Sequence, residues 1–157
     1  LFRLNRLTEA LSNYNFVIEH TLDLSPEDII EYSEFILSHD KSNYKDAIAT
    51  LDFGLQKIGI DTYSLQLKKL EYFKSSQNIE QTISQYNYFI LNSNRKESWY
   101  YNKASYLFDN NRNEEARIAL EQAKLNIDLL DQKFKNTSSL KKLQDNIKSL
   151  QLKLNLI

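Results

Sequence analysis

The chain has 157 residues and carries 20 Lys and Arg against 21 Asp and Glu, a formal net charge of −1. That balance offers no bulk field to attract nucleic acid or anionic lipid. The absence of cysteine excludes disulfides, thiolate metal sites and cysteine nucleophiles, and no apolar run approaches the ~18–20 residues of a membrane span. The charge is unevenly spread: from Lys124 onward there are seven Lys and three Asp, which leaves an acidic body and a basic tail. Two Gly and one Pro are too few for folds built on tight hairpins and suffice for helices joined by short polar loops. The chain begins at Leu1 and contains no Met, which fits a fragment or a processed product. A targeting segment would then lie upstream, and the compartment stays open, with a lean toward an exported bacterial one.

Apolar residues recur at helical spacing almost throughout. Leu4, Leu7, Leu11, Tyr14 and Ile18 line one face of a first helix. Ser25-Pro26-Glu27-Asp28 opens a second, with Ser as cap, Pro in the first turn and acids favoured by the helix dipole. This helix runs to about Ser38, and His39 to Asn43 forms a polar loop. Tyr44 to Ile58 is helical, and Gly59 is expected to stop it in the left-handed conformation. Asp61 or Thr62 caps a helix reaching about Lys74. Asn78 with Gln81, and Asn94 with Glu97, have capping-box spacing and open helices over 79–91 and 95–109. Asn113-Glu114-Glu115 begins another that reaches about Leu130. Gln132 to Ser138 reads as loop, and Leu140, Leu143, Ile147, Leu150 and Leu154 mark a last helix. The expectation is eight helices and no strand.

The helices repeat. Ala47, Thr82 and Ala116 are 35 and 34 residues apart, each in the opening turn of a helix. Four residues after each comes a large side chain, Leu51, Tyr86 or Leu120, and three further on Gly54, Phe89 or Ala123. An earlier copy lies at Ala10, Tyr14 and Val17. In this the chain resembles the tetratricopeptide repeat family, as a fragment of a bacterial member would. That family has a period of about 34 and alternates small and large residues along the second helix of each pair. The best copy runs from Trp99 to Ala123, with Tyr100, Ala104 and Leu107 at the family's aromatic, small and large positions. Lys103 departs from the pattern where a buried Leu is usual, Thr82 and Phe89 replace small residues, and the closing Pro is absent.

The resemblance implies an all-α, right-handed solenoid of stacked antiparallel helix pairs with a C-terminal capping helix. Residues 1–157 would form a single domain: 1–20 the second helix of a partial repeat, 27–59, 61–91 and 95–130 the pairs, and 138–155 the cap. Irregular helical bundles and related helical-hairpin repeats are the rival architectures.

Catalytic chemistry has little to build on. His20 and His39 lie near helix ends, where a dipole role suits them. Gly54 and Gly59 are isolated, and neither a nucleophile–base pair nor a Glu-x-x-His metal motif is present. An enzyme, a metal and a cofactor are therefore not expected. The acids Glu27, Asp28, Glu31 and Glu34 crowd one helix. In the resembled family the first helices of successive pairs line a concave groove. Carried over position by position, that groove would include Glu31 and Phe35, then Leu67 and Glu71, then Tyr101, Ser105 and Phe108. The Lys and Asn clamp of the family's chaperone-tail binders is missing, since its places hold Glu31, Phe35, Lys68, Ser98 and Asn102. The resemblance thus implies an interaction module holding a protein or peptide segment, without nucleic acid and without membrane insertion. The alternative is a structural, self-associating domain, either a homo-oligomer or a part packed within a larger polypeptide.

Overall fold

The computed structural model describes residues 2–21 and 23–157, and the side chains of these except residues 2–5 and 7. Leu4 and Leu7, expected on the inner face of the first helix, lie outside the described side chains. The described residues form α-helices and no strand: α1 (Phe2–His20), α2 (Pro26–His39), α3 (Tyr44–Ile58), α4 (Tyr63–Ser75), α5 (Ile79–Asn92), α6 (Glu97–Asp109), α7 (Asn113–Asp128), the single turn α8 (Gln132–Lys135) and α9 (Ser138–Asn155). They divide into two compact units, residues 1–82 and 83–157, with the division inside α5.

Helix starts follow their sequence signals closely. At Ser25 the hydroxyl accepts the Asp28 amide at 3.2 Å, and the Asp28 carboxylate accepts the Ser25 amide at 2.9 Å, a complete capping box. The Ser25 amide and the Ser25 hydroxyl, which also donates to the carboxylate at 2.7 Å, hold the Asp28 carboxyl below the ordinary carboxylate range. Asn43 caps α3 and Asn78 caps α5 through their side-chain oxygens, each at 3.3 Å. Asn94 and Glu97 do not form the expected box. Helix α6 starts at Glu97, whose buried carboxylate is taken by Arg95 instead. Thr62 also gives no side-chain cap, because its hydroxyl donates to the Gly59 carbonyl at 2.7 Å.

The helix ends differ more. Gly59 sits at φ 150°, ψ 136°, not in the left-handed helical well but in the mirror-extended region that is essentially reserved for glycine. The left-handed residues are Gln77 (φ 56°) and Asn111 (φ 61°), 34 residues apart. Around each, two backbone bonds form a Schellman motif: Asn78 to Phe73 and Gln77 to Lys74, then Arg112 to Leu107 and Asn111 to Phe108. The same turn thus closes α4 and α6 at the same point of the sequence period. The segment expected as loop at 132–138 holds α8. There Phe134 lies beneath the Arg95 guanidinium at 4.8 Å, and Lys135 donates at 2.8 Å to the carbonyl of Asp128, which ends α7.

In residues 1–82, α2 packs on α1, α3 and α4, and α3 packs on α4. Ile29, Leu51, Leu55 and Leu65 form the centre of the core. Gly54 is where α3 comes closest to its neighbours, since a Cβ there would stand 2.7 Å from Ile29 Cγ2 and 3.1 Å from Leu65 Cδ1. In α1 the repeat register slips by one residue: Val17 is exposed and Ile18 is buried. In residues 83–157, α6 and α7 form a hairpin and α9 packs against both. Ala104, Ala116, Leu120 and Ala123 are fully buried there with Leu140, Ile147, Leu150 and Leu154 of α9. Phe89, which replaces a small residue, is accommodated by flat stacking on Trp99 at 4.2 Å. Lys103, in the place of a buried Leu, is half-buried and donates to Asn87 Oδ1 at 2.8 Å, and burial pushes its ammonium pKa down.

Two expectations follow. Gly54→Leu and Ala116→Leu overpack fully enclosed positions and should each cost about 1–3 kcal/mol. Urea denaturation of the two variants reads this, and unchanged midpoints would contradict the packing. Deleting residues 138–157 strips the cover from Leu120, Ala123 and Ile127, so the shortened chain should aggregate or lose cooperative unfolding. A scattering-detected size separation that finds it monomeric and equally stable would show that α9 covers nothing essential.

Candidate functional site

Four of the residues expected on a groove lie in residues 1–82: Glu31 and Phe35 on α2, and Leu67 and Glu71 on α4. The helices carrying them are held side by side. Lys68, three-quarters of a turn from Glu71, reaches back to Glu34 Oε1 at 2.7 Å and also bonds the Glu71 carboxylate at 3.1 Å. Beneath this brace the buried Ser33 hydroxyl and the Tyr72 hydroxyl share a hydrogen bond at 2.8 Å. On the other flank of α2, Tyr14 of α1 donates to Glu31 at 3.1 Å and lays its ring 5.2 Å from Phe35. A continuous belt therefore runs from Tyr14 through Glu31 and Glu34 to Lys68 and Glu71. Phe35 is only half-exposed, because Tyr14 covers part of it, whereas Leu67 is 41% exposed. Leu67, Leu70, Glu71, Lys74 and Ser75 line a shallow depression on α4.

The belt is acidic and braced. Glu31, Glu34 and Glu71 are exposed, and the one ammonium among them, Lys68, is largely covered. Burial alone would lower the Lys68 pKa, but the bonds to Glu34 and Glu71 outweigh it and raise it above the usual lysine value.

Tyr101, Ser105 and Phe108 belong to α6, in residues 83–157. Each is half-buried, and the two aromatic rings pack against the core formed with α7 and α9. Tyr101 and Phe108 are thus partly packed and partly exposed. Sequence spacing puts them on one face, but it does not tell how far that face is already covered.

A cleft that periodicity did not signal lies between α1 and α3, with Tyr32 and Ile36 of α2 as its floor and about 490 Å³ of space. Its walls carry Asn15, Asp46 and Thr50. It arises because α1 and α3 both rest on α2 and diverge above it, an arrangement with no local sequence mark. Among the described residues no group of three or more His, Asp or Glu could hold a metal ion, and no helix is long and apolar enough to cross a membrane.

The brace gives a pH expectation. A raised pKa means that the Lys68 contribution is complete below the unfolded-state value of 10.5 and is lost as pH rises through the higher folded value. Glu34→Gln should lower the Lys68 pKa and bring the alkaline loss of stability to lower pH, as thermal melts between neutral and strongly alkaline pH will read. Identical profiles for the two proteins would show that the bond contributes nothing. Compared with family models, curated proteins and solved structures, the chain matches none.

Proposed function

We propose that this chain is a protein-interaction module of the tetratricopeptide-like kind, which binds an extended or helical segment of a partner along the α2–α4 belt. The observation that supports this reading most directly is the Lys68–Glu34 bridge. It ties the first helices of two successive pairs into one face, the relation that a stacked solenoid requires. The 34-residue recurrence of the Schellman turns and of the buried positions Thr82 and Ala116 supports the same arrangement.

The chemistry of the belt defines the occupant. Leu67 offers an apolar anchor beside its depression, and the exposed carboxylates of Glu31, Glu34 and Glu71 favour Lys or Arg in the ligand. The occupant is thus a segment with one or two apolar side chains and flanking positive charge.

Selection of a displayed random-peptide library on the chain should enrich basic sequences carrying apolar residues. Leu67→Asp and Glu71→Lys should each weaken the selected peptides by at least about tenfold, or about 1.4 kcal/mol. Glu71 and Leu67 are exposed, so circular dichroism should be unchanged. Enrichment of acidic peptides, or full binding by both variants, would refute this site.

A further inference from the structure

We propose that the outer face of α7 and α9 is a self-association surface, on which α7 of one copy lies across α9 of a second copy. This surface is separate from the α2–α4 belt, and the inference does not depend on the peptide-binding reading.

The first observation is apolar. Ile118 and Leu125 of α7 and Leu129, its C-cap with helical backbone angles, follow one another at spacings of seven and four, so they share one face. That face is opposite the buried Ala116, Leu120, Ala123 and Ile127. They are 65%, 53% and 83% exposed. Leu152 of α9 and Leu156, its C-cap, are four residues apart and 66% and 87% exposed, while Leu150 and Leu154 supply the buried side. The two outer faces are neighbours. Lys124 bonds Gln151 at 2.7 Å and Arg117 bonds the carbonyl of Leu154, so α7 and α9 run antiparallel, with Leu125 and Leu152 on opposite shoulders of the groove between them. Ile127, Asp128, Ile147 and Lys148 line that groove. Isolated exposed leucines are ordinary on a protein surface, but five large aliphatic side chains on one two-helix layer form a patch.

The second observation is charge, and it selects the occupant. Helix α7 carries Glu114, Glu115, Glu121 and Asp128 against Arg117 and Lys124. Helix α9 carries Lys141, Lys142, Lys148 and Lys153 against Asp145 alone. Among the described residues none of these four lysines is in an ion pair, whereas Glu114 and Glu121 pair only within α7, with the half-buried Arg117 and Lys124. Laying α7 on a second α7 would oppose acid to acid. Laying α7 on the other copy's α9 opposes acids to lysines in both halves at once, which a two-fold axis permits. The face is about 24 Å by 20 Å, on the order of 500 Å² in projection per copy. Two such faces total about 1,000 Å², just short of the roughly 1,200–2,000 Å² buried by stable pairs and in the range of weak, transient contacts. A face of this size makes a weak, reversible dimer.

Sedimentation velocity of the whole chain over the micromolar concentration range should show a monomer–dimer equilibrium. Leu125→Glu should raise the dissociation constant at least about tenfold with the helical signal intact. Glu121→Lys should weaken it too, and adding Lys148→Glu to that variant should recover part of the loss; because Glu121 is exposed, this pair serves even if Leu125→Glu perturbs folding. A monomer at every concentration would overturn the proposal, as would a dimer indifferent to these substitutions. Flotation of the monomeric chain with phosphatidylserine vesicles, lost on Lys148→Glu and without any dimer, would overturn it in favour of an anionic lipid surface.

Discussion

The close approach of paired helices at small residues is the constraint from which the rest of this structure follows. Ala47 and Ala116 are fully buried in the first turn of α3 and α7, and Gly54 leaves no room for a methyl against Ile29. When backbones come this near, the large neighbours Leu51 and Leu120 are driven into the interior one turn later, and both are fully buried. The polar loops need only be long enough to return the chain. The period of 34–35 residues is thus a packing distance read along the sequence: two helices and two short turns. Thr82 obeys the same rule by another route. It is fully buried, and its hydroxyl donates to the Asn78 carbonyl at 2.8 Å, so a polar group fits a small-residue place without being orphaned.

Much of this was legible because it is local. The Ser25 box, the Asn43 and Asn78 caps and the runs of buried positions each depend on residues within four of one another, the range over which sequence patterns carry physical meaning. Helix ends were less legible. Gln77 and Asn111 take up left-handed geometry through two backbone bonds each, and a Gln in that role carries no signal of the kind that Gly does. Gly59, which does carry the signal, serves an extended turn instead. In α1 the expected register failed at Val17, because among the described residues α1 packs chiefly on α2, and Val17 is left on the exposed side.

The candidate site was legible in part for the same reason. Periodicity puts Leu67 and Glu71 on one face of α4, and the structure leaves both exposed. It cannot register that Tyr14 would cover Phe35 and take up Glu31, or that Lys68 would cross to Glu34, because those partners are 17 to 34 residues apart. Tyr101 and Phe108 stand between these cases. Two aromatics seven apart share a face, and theirs is partly packed against the core formed with α7 and α9 and partly exposed. An exposed anchor and a half-buried strut have the same sequence pattern, and only the neighbouring helices tell them apart.

Charge separates the two surfaces in a way that also limits how copies could assemble. The lysines of α9 have two acidic counterparts in the chain, the outer face of α7 and the belt of Glu31, Glu34 and Glu71. Docking α9 on α7 of another copy is reciprocal: the second copy returns the same contact, and the assembly is complete at two. Docking α9 on the belt has less to drive it, since Lys68 already binds both Glu34 and Glu71, and Leu67 is the belt's strongly exposed aliphatic residue. Helices α7 and α9 with their C-caps expose five large aliphatic side chains, and burial of apolar area is the term that drives association. The same asymmetry leaves the belt open to a shorter, basic segment, whose single apolar side chain Leu67 and its depression can accept.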